Sequence, residues 1–281
     1  MKQLRNSIIV PAHNEEAVIR RTLETLLKDA LPGEFEVLVV CNGCEDKTAR
    51  NAESVSHDVT AIELAQPSKT LAINEGLRAA TGDSVLLLDA DIELSTADAR
   101  KLLKAATRPG KEVAIAHMDI DTEGADIFVR SFYKIWKEHP YLRNGKFAAA
   151  IALSASGIAR IGSLPAVTAD DTYLKRLFPK GTIAVANGVR FTARAPRTVG
   201  SLIKVRSRSY RGTRQLDSHI SERKSSKSEG ASFARSIIFM PRLWIEVPAY
   251  LAVTLLSRFL SYKTSGVRWE RDMTTRNTTS D

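Results

Sequence analysis

The chain has 281 residues and a formal net charge of +9, with 43% hydrophobic and 26% charged residues. These proportions are ordinary for a soluble globular protein, and the length allows one large domain with an appended segment, or two small domains. The two cysteines, Cys41 and Cys44, are too few for a disulfide framework and favour a reducing compartment. Because the apolar run that follows Met1 is too short for a signal peptide, we expect a cytoplasmic protein.

The first part of the chain alternates between strand and helix patterns. Short apolar runs predict strands, and apolar residues at helical spacing predict helices between them. The predicted strands cover residues 7–10, 36–40, 59–64 and 84–88, and the predicted helices cover 15–28, 47–55 and 70–80. Asn14 is the predicted cap of the first helix. Strands that alternate with helices indicate parallel βαβ units with helices on both faces of a sheet.

The middle of the chain continues this pattern, which changes near residue 198. A helix is predicted over 96–107, a strand over 113–116 and a helix over 125–138, before a run of small residues over 147–156. A basic helix follows, and then an apolar stretch over 237–260. Because prolines and charges interrupt that stretch, it predicts an interfacial or partner-binding helical pair rather than a transmembrane span.

Positive charge is concentrated in residues 190–228, which contain eleven lysine or arginine residues and only two acids, Asp217 and Glu222. The rest of the chain balances thirty basic residues against thirty acidic ones. Such a block favours an anionic partner, and pyrophosphate, lipid headgroups and nucleic acid are all open at this point. A solvated helix face is the remaining interpretation.

The tripeptide Asp89-Ala90-Asp91 directly follows the apolar strand predicted over 84–88. Open α/β sheets bind their ligands at the carboxyl ends of such strands. Two carboxylates this close repel each other, and a divalent cation or a ligand rich in hydroxyls relieves the repulsion. A second Asp-x-Asp, Asp119-Ile120-Asp121, runs into a turn and is assigned to a solvated loop.

Four segments at the same predicted sheet edge carry a family resemblance. They are Pro11-Ala12-His13-Asn14-Glu15-Glu16, Cys41-Asn42-Gly43-Cys44-Glu45-Asp46, Lys69-Thr70-Leu71-Ala72-Ile73-Asn74-Glu75-Gly76 and Asp89-Ala90-Asp91. In this order and at this spacing, they resemble family 2 glycosyltransferases of the GT-A fold, over roughly residues 6–215. The resemblance implies an α/β fold in which a Rossmann-like, mostly parallel sheet is flanked by helices and followed by a C-terminal helical extension.

The implied domain organisation has three parts. A GT-A domain occupies residues 1–200, with a nucleotide-sugar half over about 1–95 and an acceptor half over about 96–200. A basic and amphipathic helical extension, suited to a membrane interface, covers 201–264, and a flexible tail covers 265–281.

The resemblance also implies roles for residues that bind the donor. Asp91 is the expected ligand of a divalent cation, Mn²⁺ or Mg²⁺, while Asp89 and Ala90 lie beside the ribose and the metal-bound water. The other implied donor-binding residues of these segments are Pro11, Asn14 and Glu15 around the nucleoside, Asn42 at the nucleobase, and Lys69 near the base or the phosphates. Many relatives carry an aspartate where this chain has Cys41-Asn42. Because an amide both donates and accepts hydrogen bonds, the nucleobase stays open.

Two further sites complete the implied machinery. Asp171, in Thr168-Ala169-Asp170-Asp171, is the expected catalytic base that takes the proton of the acceptor hydroxyl. Asp170 is the reserve candidate, and helix capping by one of the two acids is the alternative. Arg208 and Arg211, three residues apart on the basic helix, are expected to grip the pyrophosphate or an acceptor phosphate.

The sequence therefore predicts an inverting glycosyltransferase that moves a sugar from a nucleotide-diphosphate donor to an acceptor hydroxyl. The expected acceptor is lipid-linked or belongs to cell-envelope or exopolysaccharide assembly, and the expected location is the cytoplasm, with peripheral contact at the inner face of the cell membrane. A sugar-phosphate nucleotidyltransferase is the alternative enzyme. Binding of nucleic acid or another anionic surface through residues 190–228 is the non-enzymatic alternative, although no nucleic-acid partner is expected.

Overall fold

The computed structural model describes residues 6–167, 169–219 and 233–263. The predicted flexible tail over 265–281 and the end of the basic block lie outside these residues. The chain divides into two compact units, Met1–Asp119 with Gly145–Ala193, and Ile120–Asn144 with Arg194–Asp281. The domain boundary placed at residue 200 from the sequence stays a prediction.

The described strands form one eight-stranded sheet in the order β3-β2-β1-β4-β7-β6-β8-β5. The strands are β1 (Asn6–Ala12), β2 (Phe35–Asn42), β3 (Val59–Leu64), β4 (Ser84–Leu88), β5 (Ile92–Glu93), β6 (Val113–Asp121), β7 (Lys146–Leu153) and β8 (Ile183–Arg194). The carboxyl ends of β1, β2 and β4 therefore lie at one sheet edge, since these strands run parallel.

Parallel pairing is confined to β3, β2, β1 and β4, in which Ile8 lies opposite both Val37 and Leu86. Beyond β4 the sheet is antiparallel, with Leu87 opposite Ile151 and further antiparallel pairs between β6 and β7 and between β5 and β8. The sheet is thus mixed, with fewer parallel pairs than predicted. The run of small residues that forms β7 indicates a buried strand, but burial carries no information about strand direction.

Helices surround the sheet in the first unit and make up most of the second. They are α1 (Ile19–Leu27), α2 (Thr48–Glu53), α3 (Lys69–Ala79), α4 (Thr96–Ala106), α5 (Ile127–Trp136), α6 (Pro140–Arg143), α7 (Ala155–Ile161), α8 (Asp170–Leu177), α9 (Val199–His219) and α10 (Val247–Lys263). Residues 233–238 are also helical, and Pro241–Glu246 form a 3-10 helix before α10. The predicted basic helix from about 198 is α9, and the predicted helical pair over 237–260 is this last region.

Alternate residues of the central strands enter two separate apolar cores. Ile8 and Leu86 pack with Leu23 of α1 on one face of the sheet. Ile9 and Leu87 pack with residues of α3 and α8 on the other face. Both faces of β1 and β4 are covered by these cores. Polar residues of these strands therefore lie at the strand ends, where the sheet is accessible to a ligand.

Gly76 lets α3 lie directly on β1. A Cβ atom at this position would stand 2.4 Å from Cγ2 of Ile9, well inside van der Waals contact. The glycine therefore fixes the height of α3 above the sheet, and with it the position of Lys69 at the start of that helix.

The second unit is built on a cluster of aromatic side chains. Phe132 of α5 stacks on Tyr250 of α10, with ring centroids 5.1 Å apart and an interplanar angle of 20°. The Arg206 guanidinium of α9 lies 5.8 Å from the centroid of Phe132 and 5.4 Å from that of Trp136. These cation–π contacts join α9 to α5.

Among the described residues, one helical stretch, Pro241–Tyr262, is long and apolar enough to cross a membrane by length and composition. Its most apolar window has a mean hydropathy of 1.4, and only 22% of that window is buried.

Candidate active site

Lys69 joins two carboxylates that come from distant parts of the first unit. Its Nζ lies 2.7 Å from Oδ1 of Asp89 and 3.1 Å from Oδ2 of Asp170. Lys69 is the first residue of α3, after the N-cap Ser68, whose Oγ accepts a hydrogen bond from the Leu71 N–H. Asp89 follows β4, and Asp170 is the first residue of α8. The structure thus brings together two predicted donor-site residues and the reserve candidate for the base.

Charge and burial oppose each other in this cluster. Burial alone would lower the pKa of Lys69, but the carboxylates of Asp170 and Asp89 outweigh it and raise that pKa above its ordinary value. Burial raises the pKa of Asp89 to about 6, with Lys69 opposing the shift and the negative charges of Asp170 and Asp91 adding to it. The ammonium group contacts two of these acids, and the charge of Asp91 acts on Asp89 as a third, so the cluster carries an excess of negative charge.

Asp91 has the exposure that a shared metal ligand requires. Its side chain is exposed, whereas the preceding Ala90 is buried and its carbonyl oxygen accepts a 2.7 Å hydrogen bond from Thr22 Oγ1. Nowhere in the described ranges do three or more His, Cys, Asp or Glu side chains stand close enough to hold a metal ion together. Mg²⁺ and Mn²⁺ bind through one or two carboxylates plus phosphate oxygens and water. The residues present therefore fit a cation that is shared with a diphosphate.

The two acids at the start of α8 line the same cleft but differ in their contacts. The cleft opens to solvent and is lined by Pro11, Lys69, Ile73, Leu87, Leu88, Asp89, Ala149, Ile151, Asp170, Asp171 and Leu174. The Asp170 carboxylate is engaged by Lys69, while Asp171 Oδ1 accepts a 2.7 Å hydrogen bond from the Thr172 N–H. Ala169 occupies the N-cap position and no side chain caps α8, so the capping alternative is not observed.

The first loop, which follows β1 over residues 13–16, is tied to the second loop, which follows β2 over residues 43–46, by hydrogen bonds from both backbone and side chain. Asn14 Oδ1 accepts from the Glu45 N–H at 2.7 Å, and the Asn14 N–H donates to Cys44 Sγ at 3.2 Å. Asn14 has a left-handed backbone (φ 53°), which asparagine tolerates better than most residues. The prediction that Asn14 caps the first helix is wrong, because α1 begins at Ile19 and the Asn14 side chain is committed to the second loop.

Glu15 and Asn42 are buried at the ends of β1 and β2. The Glu15 N–H donates to Thr48 Oγ1 at 2.7 Å. Asn42 is fully buried, and its Nδ2 donates to the Ala12 carbonyl oxygen at 2.7 Å. Both residues therefore hold the segments after β1 and β2 in place, and direct contact of either with a nucleoside stays a prediction.

The two thiols of the second loop lie against each other. A hydrogen bond with the Cys41 thiol lowers the pKa of Cys44 to about 7, although burial opposes the shift, and the Asn14 N–H adds to it. The same contact and burial raise the pKa of Cys41. Cys44 is partly exposed and Cys41 is buried, so the thiolate at neutral pH belongs to Cys44.

Two residues that position the site have no role assigned from the sequence. The Asn74 side chain donates to the Leu164 carbonyl at 2.9 Å and accepts from the Leu164 N–H at 2.8 Å, which fixes the segment leading to α8. In the sequence, this role of Asn74 is indicated only by its position within the Lys69–Gly76 segment. Ala149 has a positive φ of 64°, and its carbonyl accepts the Asp89 N–H at 2.8 Å. No sequence pattern indicates a left-handed alanine.

The remaining predicted residues lie elsewhere. Arg208 and Arg211 are half-buried on α9, in the second unit, and their role in phosphate binding stays a prediction. The second Asp-x-Asp is not in a loop, because β6 continues through Asp121. Asp119 forms a bidentate ion pair with the Arg190 guanidinium on β8, at 2.5 Å for each contact, and this cross-strand pair explains the longer strand.

Two solved structures share the fold of this chain. The mannosyltransferase PcManGT from Pyrobaculum calidifontis, in complex with GDP-Man and Mn²⁺, aligns with a TM-score of 0.62 at 19% identity, over 95% of this chain and 77% of that one. Glucosyl-3-phosphoglycerate synthase from Mycobacterium tuberculosis, in complex with Mn²⁺, UDP and glucosyl-3-phosphoglycerate, aligns with a TM-score of 0.57 at 19% identity, over 79% of this chain and 82% of that one. The predicted GT-A fold class is confirmed.

The family follows from the sequence comparison. The model of "Glycosyl transferase family 2" matches residues 7–157, more than half of the chain, and this chain belongs to that family. The predicted family resemblance is thereby confirmed.

Curated relatives match a shorter region. The "Probable glycosyltransferase YdaM" of Bacillus subtilis is 34% identical over 100 residues, which are 32% of this chain and 24% of the relative. The "Undecaprenyl-phosphate 4-deoxy-4-formamido-L-arabinose transferase" of Proteus mirabilis is 29% identical over 107 residues, which are 36% of this chain and 33% of the relative. The matched region thus spans a third or less of the length of these two relatives.

Proposed function

We propose that this protein transfers a sugar from a nucleotide-diphosphate donor to an acceptor hydroxyl, with inversion at the anomeric carbon. The observation that carries the proposal is the cluster of Lys69, Asp89 and Asp170 in a cleft that Asp171 also lines, with the exposed Asp91 two residues after Asp89. The two solved structures of the same fold were obtained with GDP-Man and with UDP, each with Mn²⁺. Membership of glycosyl transferase family 2 agrees with this reaction class.

The edge of the sheet is suited to the diphosphate. Asp91 would hold a Mn²⁺ or Mg²⁺ ion together with phosphate oxygens, and the ion would neutralise the charge that develops on the leaving diphosphate. Asp89 is fixed by Lys69, so its carboxylate is held in place before any donor arrives. The ammonium group of Lys69 also keeps Asp89 and Asp170 from repelling each other in a poorly solvated place.

Asp171 is the proposed base. In the transfer, the acceptor oxygen forms a bond to the anomeric carbon while the bond from that carbon to the diphosphate oxygen breaks. The proton of the acceptor hydroxyl passes to the Asp171 carboxylate, and the nucleotide diphosphate leaves with the bonding electrons. Asp171 fits this role better than Asp170, because the latter carboxylate is already engaged by an ammonium group.

The proposed acceptor is lipid-linked or part of the cell envelope, reached from the cytoplasmic side of the membrane. The support is sequence similarity to the Proteus mirabilis relative, which is named as an undecaprenyl-phosphate 4-deoxy-4-formamido-L-arabinose transferase. The exposed apolar stretch of the second unit is consistent with a place beside a membrane.

Calorimetry with nucleotide diphosphates tests the donor site directly. UDP, GDP and dTDP are titrated with and without Mn²⁺ into the native protein, Asp91→Ala and Asp121→Ala. We expect Asp91→Ala to lose the metal-dependent part of the affinity, by about tenfold or more, because the protein ligand is removed. Asp121→Ala, the same change in the other Asp-x-Asp, should bind as the native protein does. Unchanged metal-dependent binding by Asp91→Ala would reject Asp91 as the metal ligand.

A further inference from the structure

The helix α10 has its apolar and polar sides reversed relative to an ordinary surface helix. Leu251, Leu255 and Leu256 are 49%, 63% and 49% exposed, whereas Ser257 and Ser261 are fully or almost fully buried. The buried serines face α9, where Ser207 Oγ donates to the Ser257 carbonyl oxygen at 3.0 Å. A water-soluble helix buries its leucines and exposes its serines. Helices in lipid do the opposite and pack through small residues.

The segment before α10 continues the exposed apolar surface. Phe239 and Ile245 are each 83% exposed and Trp244 is 56% exposed, although the Trp244 indole N–H still donates to the Ile237 carbonyl at 3.3 Å. Together with the three leucines of α10, these side chains form what we name the apolar surface: Phe239, Trp244, Ile245, Leu251, Leu255 and Leu256. Several large apolar side chains exposed within one short segment mark a binding site for a membrane or a protein.

Charge at the apolar surface is of one sign. Arg235, Arg242 and Arg258 are exposed. The only acid within residues 233–263 is Glu246, whose side chain is 12% exposed and pairs with Lys134 Nζ at 2.5 Å. An apolar surface bordered by arginines, with its single acid neutralised, complements a layer of anionic headgroups over an acyl interior.

We propose that the apolar surface inserts into the headgroup region of an anionic phospholipid bilayer, with α10 lying along the membrane rather than across it. A spanning orientation is disfavoured because α10 packs against the basic helix α9. The Arg214 guanidinium lies 4.0 Å from the centroid of the Tyr262 ring and donates to the Ser261 carbonyl. Charged side chains of α9 would therefore enter the hydrocarbon together with α10, at a high cost.

A second copy of this chain is a poorer occupant than a membrane. In a symmetric dimer the same patch meets itself, so the exposed arginines of one copy would face those of the other. No exposed acid within residues 233–263 is available to compensate them. The proposal concerns the second unit alone and does not depend on the reaction assigned to the first.

Binding to vesicles tests the insertion of the apolar surface. The full chain is floated with vesicles of phosphatidylcholine and phosphatidylglycerol, as the native protein and as Ile245→Asp. We expect Ile245→Asp to bind about tenfold or more weakly, because an inserted isoleucine is replaced by a charge. Leu31→Asp is the matched control, since Leu31 is 69% exposed but lies in the first unit. Equal vesicle binding of the native protein and a natively folded Ile245→Asp would overturn the proposal.

Changing the charge of the lipid headgroup tests whether the exposed arginines bind anionic lipid. Arg235→Gln and Arg242→Gln should each reduce binding to the anionic vesicles by about fivefold, and should leave the weak binding to pure phosphatidylcholine unchanged. Arg108→Gln, an exposed arginine of the first unit, is the control and should have no effect. Loss of affinity for both kinds of vesicle, or for neither, would contradict a headgroup role.

The depth of insertion into the bilayer distinguishes a helix lying along the membrane from a spanning one, and the oligomeric state tests for a second copy of the chain. Trp244 fluorescence, taken as the difference between the native protein and Trp244→Phe, should be quenched most by lipids labelled near the headgroup. Leu251→Trp in the Trp244→Phe background reports on the middle of the 241–262 stretch, so strongest quenching of that protein from the bilayer centre would show a spanning helix and overturn the proposed orientation. Sedimentation without lipid should give a monomer. A dimer that Ile245→Asp dissociates, in a protein that does not bind vesicles, would assign the apolar surface to a second copy.

Discussion

Lys69 shows how one side chain can connect three elements of the first unit. Its ammonium group lies between the carboxylate that follows β4 and the one that begins α8, and it is itself the first residue of α3. Because each of these carboxylates is less than one-third exposed, removing the ammonium group would leave two poorly solvated negative charges beside each other.

We therefore expect Lys69→Gln to weaken both the fold and the donor site. The free energy of unfolding should fall by about 2 kcal/mol, measured by urea denaturation. Nucleotide affinity should fall in the same protein, because Asp89 is no longer held. Lys101→Gln is the control, since Lys101 also pairs with an acid but is 61% exposed. An equal, small change in both variants would show that the Lys69 contacts are no stronger than surface ion pairs.

Asp171→Asn should separate binding from turnover. The amide keeps the shape of the side chain but cannot take a proton, so transfer should fall by about a hundredfold or more while nucleotide affinity stays within about twofold. Single-turnover transfer of labelled sugar and calorimetry measure the two quantities. Asp98→Asn, an acid in the first turn of α4, is the control. Normal transfer by Asp171→Asn would move the role of base to another residue.

The single residues of the site were predictable only in part. Lys69, Asp89 and Asp91 stand next to strong element signals, and the structure places the first two in contact. The Lys69–Asp170 contact joins segments far apart in the chain, and no local pattern reports it. Ala149 was missed for a different reason, because an alanine carries no sign in its residue type that its backbone is left-handed.

At the scale of elements, the packing of α3 on β1 depends on a missing side chain. Gly76→Ala places a Cβ 2.4 Å from Ile9 Cγ2, so α3 must move away from the sheet. We expect the free energy of unfolding to fall by about 2–3 kcal/mol, as for other overpacked cores, measured by denaturation.

The control for this change is another helical glycine. Gly200 lies in α9, with no atom within 4 Å of a Cβ built on it. Gly200→Ala should leave stability unchanged or raise it by up to about 1 kcal/mol, because alanine is the better helix former. If both substitutions raised stability, the close approach of α3 to β1 would be refuted.

The elements that could be predicted are those with a complete local signal. The strands β3 and β4 have the predicted bounds, because β4 is an unbroken apolar run after Ser84 and β3 is a short, largely apolar segment rich in β-branched residues. The strand β6 is longer than predicted, since its last residues are polar and are held in the sheet by the Arg190–Asp119 pair. The helix α1 begins later than predicted, because the residues after Asn14 are used to bind the second loop.

At the scale of the whole molecule, we expect the first unit to respond to a nucleotide and the second unit to respond, independently, to vesicles. We expect a nucleotide with Mn²⁺ to slow hydrogen exchange at the loops over 11–16, 41–46 and 89–91, all in the first unit. Anionic vesicles should slow exchange over 239–256, in the second unit. Asp91→Ala should remove only the first effect, and Ile245→Asp only the second.

Protection of α9 by the nucleotide would add a specific result, because it would support the predicted roles of Arg208 and Arg211. A nucleotide effect confined to the second unit would instead contradict the donor site proposed in the first. Vesicle protection that spread evenly over both units would contradict insertion through the apolar surface.

The division of the chain was the least predictable feature. Residues 120–144 lie in the middle of the sequence but belong to the second unit with the C-terminal helices. Sequence patterns describe neighbouring residues, so they indicate where a helix begins and not which distant helix covers it. The aromatic residues of α5 were read as helical, yet their partner Tyr250 lies far along the chain.

The contact between Cys44 and the loop at Asn14 makes the Cys44 thiol a useful position for a chemical label. The contact with Cys41 lowers the pKa of Cys44 to about 7, so at neutral pH the Cys44 thiol is more ionised than the buried Cys41 thiol, whose pKa is raised. A maleimide dye or a fluorinated tag should therefore label Cys44 first, without any engineered cysteine. Because Cys44 holds the backbone of Asn14, such a label would sit against the loop of the proposed nucleoside pocket and report its occupancy by fluorescence or ¹⁹F resonance.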